Sequence, residues 1–99
     1  MQLPKKVRVQ NKVYAVIKVK RAQRKSTLGT IDHTHGIIWI ATHDGFGKKL
    51  HKEEMYDTFW HELTHAILHD MREETLCNDE KFVTNFANRL SCSINTAEL

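Results

Sequence analysis

FWHELTHAILHD, residues 59–70, sets three histidines and a glutamate among largely apolar neighbours. No glycine or proline interrupts residues 50–71, so a helix over about 52–71 is the natural reading. At 100° per residue with His61 at zero, His65 falls near 40°, His69 near 80° and Glu62 near 100°. Met55, Phe59, Trp60, Leu63, Ala66 and Ile67 fall between about 120° and 260°. The helix thus has two stripes. The apolar one is expected to cover the rest of the fold, and the imidazole one is expected to face elsewhere.

Two histidines at i and i+4 lie one turn apart on one face, where each can aim a ring nitrogen at one ion about 2.0–2.1 Å away. Glu62 stands to the side of that pair. There its carboxylate can take a proton from a metal-activated water without binding the metal itself. The pattern is H-E-x-x-H, which a shuffled chain of this composition would carry about 3% of the time, so the helical context must carry part of the weight. His61 and His65 are the expected ligands of one zinc ion, and Glu62 is the expected general base. His69 lies two turns from His61, about 12 Å along the axis. It is too far to share the ion, and is either a cleft-wall residue that supports the ligands or simply a solvated side chain.

A tetrahedral ion needs a further protein ligand. Downstream, CNDE (77–80) offers a break and a cap at Asn78 or Asp79, and Phe82, Val83, Phe86, Ala87 and Leu90 then form one apolar stripe over a second helix, about 79–92. Glu80 borders that stripe in the first turn. It reaches the ion if the stripe packs on the first helix, and it suits the helix dipole in either case; position alone leaves both readings open.

Upstream, the chain reads as strands. Val7 and Val9, then Val13, Ala15, Ile17 and Val19, keep a period of two on either side of the turn-prone Gln10-Asn11-Lys12. A second pair, Leu28–Asp32 and Ile37–Thr42, is joined by His33-Thr34-His35-Gly36. Ile37-Ile38-Trp39-Ile40 is apolar on both faces, so part of it must be covered. HDGFGKK (43–49) reads as a loop. The expected fold is one α+β domain over residues 1–99: a small antiparallel sheet of three to four strands in residues 1–50, packed on the metal helix and the second helix.

At 99 residues the chain has room for one core, and a bound ion would add to its stability. A 40% hydrophobic and 27% charged composition is that of a globular protein. No apolar run approaches the roughly 18 residues of a membrane span. The first ten residues lack a signal peptide's apolar segment, so a cytoplasmic protein is expected. Cys77 and Cys92 do not form a disulfide framework; about 20 Å apart if one helix joins them, they are expected to be free thiols. Net charge is +3, concentrated in Lys18, Lys20, Arg21, Arg24 and Lys25. That run reads as a solvated loop, with nucleic acid a weaker possibility because no aromatics are interleaved with it. His33, His35 and His43 are loop histidines, any of which could offer a hydrogen bond to a developing oxyanion. Cys77 is a candidate reversible cap on the metal.

HELTHAILH followed by EKFVTNFANRL resembles the gluzincin-type zinc peptidases of the ImmA/IrrE kind, and is equally similar to the short phage- and prophage-encoded H-E-x-x-H proteins described as SprT-like. In the former, E-x-x-A-(N/D)-x-F-A follows the metal helix and its glutamate is the third ligand. Glu80 to Ala87 fits with Val83 in place of the small residue, so the resemblance implies Glu80 as ligand. It also implies that the strand bearing GIIWIAT lines the cleft and pairs with an extended substrate, through Ile38, Trp39 and Ile40. Thr84, one turn beyond Glu80, is a further candidate to support the ligands. The resemblance does not extend to the helix-turn-helix partner domain that many relatives carry, and SCSI stands where the usual residues follow the second helix. The activity implied is that of a minimal zinc metalloendopeptidase acting on a peptide or protein. The alternatives are a catalytically silent zinc-stabilised binding module, and a latent peptidase whose own tail, INTAEL, occupies the cleft.

Overall fold

The computed structural model describes residues 2–21 and 28–98, so Arg24 and Lys25 of the basic run lie outside the described residues. Four strands, β1 (Lys6–Val9), β2 (Lys12–Val19), β3 (Gly29–Asp32) and β4 (Ile37–Ala41), precede three helices, α1 (Lys52–Asp70), α2 (Glu74–Cys77) and α3 (Glu80–Thr96). The α+β class and the main elements match the sequence reading. Short α2, which falls between the two expected helices and runs up to the CNDE break, was not expected.

Both expected hairpins form, but the sheet they build is mixed rather than antiparallel. Its order is β1-β2-β4-β3, and the hairpins join through a parallel β2–β4 pair. The apolar pattern explains the choice. Ile37-Ile38-Trp39-Ile40 can be covered on both faces and takes an inner position, whereas Gly29-Thr30-Ile31-Asp32 takes the edge. Register then decides which residues of β2 are buried. Tyr14 stands opposite Val7, so it and Val16 turn to the core; Val13 and Ile17 turn to the other face, 53% and 41% exposed. The alternation of Val13, Ala15, Ile17 and Val19 is real, but it marks the outer face.

One core cluster gathers Val9, Tyr14, Ile38 and Ile40 of the sheet under Phe59, Leu63 and Ala66 of α1. A second packs Leu68 on Cys77 and Val83. Helix α1 is therefore covered on two flanks, by the sheet and by α2–α3, and its imidazole stripe is left between them. Burial departs from the expected stripes at their edges. Ile67 is partly exposed, and in α3 the buried row is Val83, Ala87 and Ser91, while Phe86 stacks on Phe82 at the surface. The small residues at 87 and 91 let the two helices approach, and the Ser91 hydroxyl donates to Asp57 Oδ1 across them at 2.7 Å.

Glycine at 29 sets the sheet edge against the helix. A Cβ there would meet Thr58 Cγ2 at 2.5 Å and Glu62 Cγ at 3.2 Å, so only a bare backbone lies this close to α1. Among the described residues, no helix is long and apolar enough to cross a membrane.

Candidate metal centre

Helix α1 opens at His51, whose backbone N–H donates to Glu54 Oε1, with Glu53 and Glu54 in the first turn to suit the dipole. It ends where Arg72 takes a left-handed φ of 60° and the chain reverses. Asp79 caps α3, its carboxylate accepting from the Phe82 N–H, so Glu80 is the first helical residue. The reversal carries Glu80 back beside the imidazoles of α1.

His61 Nε2 lies 3.1 Å from Glu80 Oε2, and His65 Nε2 lies 3.0 Å from Glu80 Oε1. Three potential ligand atoms thus stand within 4.8 Å of one another. Ligands at 2.0–2.1 Å in a tetrahedral shell are about 3.3 Å apart, so small movements suffice to place one ion among them. Two imidazoles and a carboxylate are a donor set that suits zinc and leaves a fourth position open. Among the described residues this is the one such cluster of three. Burial pushes the His65 pKa down despite the opposing pull of Glu80, which favours the neutral ring a metal requires.

Glu62 is 5% exposed, and its Oε2 has no hydrogen-bond partner among the described residues. Burial, with the Glu80 charge adding to it, raises its pKa to about 7. A buried carboxyl without a partner opposes folding, and this one faces the cleft beside the two imidazoles.

The cleft, about 1220 Å³, runs between the β3 edge and α3 and is lined by residues 28–34, by His61, Glu62, His65 and His69 of α1, and by Glu80 and Asn88 of α3. Its volume is ample for several residues of an extended chain. Ile38 and Ile40 do not reach it: both are fully buried in the core, because β4 is an inner strand flanked by β2 and β3. Trp39 alone of the three expected substrate residues lines the cleft. Of the two edge strands among the described residues, β1 and β3, it is β3 that lines the cleft, and sequence reasoning passed over it; its glycine and short polar residues were the signal available.

His69 does line the cleft, its ring stacked on His33 at 3.9 Å and 13° and its Nδ1 3.5 Å from Glu74 Oε1. Of the loop histidines, only His33 lines the cleft; His35 pairs with Asp32 at 2.8 Å and His43 with Thr42. Thr84 is exposed, makes no side-chain hydrogen bond among the described residues and does not line the cleft. Cys77 is buried behind the site, its Sγ 3.7 Å from His65 Nδ1 and donating to the His65 carbonyl oxygen. It stands on the far side of the ring from Nε2, so it steadies His65 rather than capping a metal. Both thiols are free. The tail residues Ile94–Glu98 are exposed and none lines the cleft.

Compared with known proteins, the chain matches no protein-family model, no curated protein and no solved structure.

Proposed function

We propose that this chain is a zinc-dependent peptidase of the gluzincin type, of the small kind found in ImmA/IrrE-like and phage-encoded proteins. The observation that carries the reading is the convergence of His61 Nε2, His65 Nε2 and the Glu80 carboxylate at 3.0–3.1 Å, with Glu62 Oε2, buried and unpartnered among the described residues, beside them.

His61 and His65 on α1 and Glu80 on α3 would hold the ion. Zinc, when bound, supplies a Lewis acid that polarises a carbonyl and makes water easier to deprotonate. Glu62 accepts the proton of the attacking water and returns it to the leaving amine. The peptide adds as a strand to the free β3 edge, using main-chain hydrogen bonds, and Gly29 keeps that edge close to Glu62. Compared with the β4 edge expected from sequence, β3 offers backbone groups that no described strand occupies.

A zinc-stabilised binding module is the competing reading, and the buried Glu62 Oε2, unpartnered among the described residues, weighs against it, since such a module gains nothing from carrying that cost. Glu62→Gln decides between them. A peptidase loses its hydrolysis of unstructured protein and keeps its zinc. If hydrolysis survives the change, Glu62 is not the base and the mechanism fails.

A further inference from the structure

We propose that His33 is a catalytic residue, donating a hydrogen bond from Nε2 to the scissile carbonyl oxygen as that oxygen becomes an oxyanion. The proposal rests on the peptidase reading and supplies the electrophile that the metal ligands and Glu62 leave unassigned.

The ring is fixed from two sides. Tyr14, 2% exposed, places its hydroxyl 3.3 Å from His33 Nδ1, the only hydrogen-bond partner of that hydroxyl among the described residues. Burial raises the Tyr14 pKa, so the phenol keeps its proton, and a buried O–H requires an acceptor. With no other acceptor for that O–H among the described residues, Nδ1 offers its lone pair, which leaves the ring proton on Nε2, the nitrogen Tyr14 does not engage. His69 stacks flat against the ring and holds its plane. The result is one tautomer in one orientation at the wall of the cleft that also contains His61, Glu62 and His65.

Charge supports the same reading. Burial lowers the His33 pKa, and His69 and His65 lower it further. A neutral imidazole with a fixed N–H acts as an electrophile where its surroundings hold the pKa down. No bond to His33 forms or breaks; the proton stays on Nε2 and the hydrogen bond strengthens as negative charge gathers on the carbonyl oxygen. This role also gives His69 a use: as a positioning residue it acts through His33.

The experiment compares wild type, His33→Ala and Tyr14→Phe, each zinc-loaded, for hydrolysis of fluorescein-labelled casein, zinc content and imidazole tautomer by long-range ¹H–¹⁵N spectra. His33→Ala is expected to lower kcat by about 10²–10³-fold with zinc unchanged. The His33 ring of wild type is expected in the Nε2–H form. Tyr14→Phe removes a buried hydroxyl but keeps the ring, so it should fold even if His33→Ala is unstable; it is expected to mix the tautomers and lose activity severalfold. Wild-type kcat in a zinc-replete His33→Ala, or an Nδ1–H tautomer in wild type, overturns the proposal and leaves the peptidase reading standing. Wild type that binds no zinc and cleaves nothing sinks the peptidase reading and this role with it. The tautomer separates these failures, because Tyr14 sets it whether or not any chemistry occurs.

Discussion

Glu80 and His65, fifteen residues apart in sequence and on different helices, face each other with Oε1 3.0 Å from Nε2. Glu80 bridges to His61 as well, so one carboxylate closes the triad. Glu80→Ala is expected to weaken zinc binding by more than the roughly 10–100-fold typical of losing a residue that merely supports a ligand, as read by titration against a fluorescent zinc chelator. The side chain is 68% exposed, so the variant should retain its fold without metal.

Glu62 gives the metal-free protein a pH dependence of definite sign. Its pKa in the folded chain is raised to about 7 from an ordinary 4.5. Between those values the folded chain holds a proton that the unfolded chain has released. The contribution is therefore fully present below pH 4.5 and is lost as pH rises through 7, by about 1.4 kcal/mol per unit across the window. Glu62→Gln lacks this loss. Metal-free Glu62→Gln should melt above metal-free wild type at pH 8, and the gap should narrow as the pH is lowered to 4.5. A gap that is constant with pH would contradict the burial argument.

Gly29 is expected to tolerate no side chain without cost. Gly29→Ala drives a methyl into Thr58 and towards Glu62, so β3 must shift from α1. Chemical denaturation should show a loss of about 1–3 kcal/mol, and hydrolysis should fall because the edge proposed to pair with substrate moves. Thr58→Ser paired with Gly29→Ala should recover part of the stability, since it removes the nearest methyl.

The two cysteines should react very differently. Cys77 is buried, and burial raises its pKa, whereas Cys92 is exposed. A disulfide reagent added to native protein should titrate one thiol quickly and the second only on unfolding. Two fast thiols would mean that the pocket behind His65 is open.

Much of the site was readable from the sequence because it depends on helical spacing. His61, Glu62 and His65 follow from the i, i+4 geometry of one helix, and Asp79 as a cap places Glu80 at the start of the next. What was not readable depends on how separate segments meet. Both hairpins were visible locally, but whether β2 would pair with β3 or with β4 is a competition among whole strands, and the misplaced substrate strand follows from it: Ile38 and Ile40 are core because β4 is central. The parity of β2 was ambiguous for a related reason. Tyr14 and Val16 are as apolar as Val13 and Ile17, and only the register against β1 chooses between them. His33 belongs to the same class, since nothing local to the turn says that Tyr14 and His69 will clamp its ring.

Zinc stoichiometry by mass spectrometry under native conditions tests the central claim most directly, with wild type measured beside His61→Ala and Glu80→Ala. One ion per wild-type chain, lost or sharply weakened in both variants, is the expected result. A wild-type chain that takes up no zinc, or variants that hold it as firmly as wild type, would contradict the shared centre of His61, His65 and Glu80.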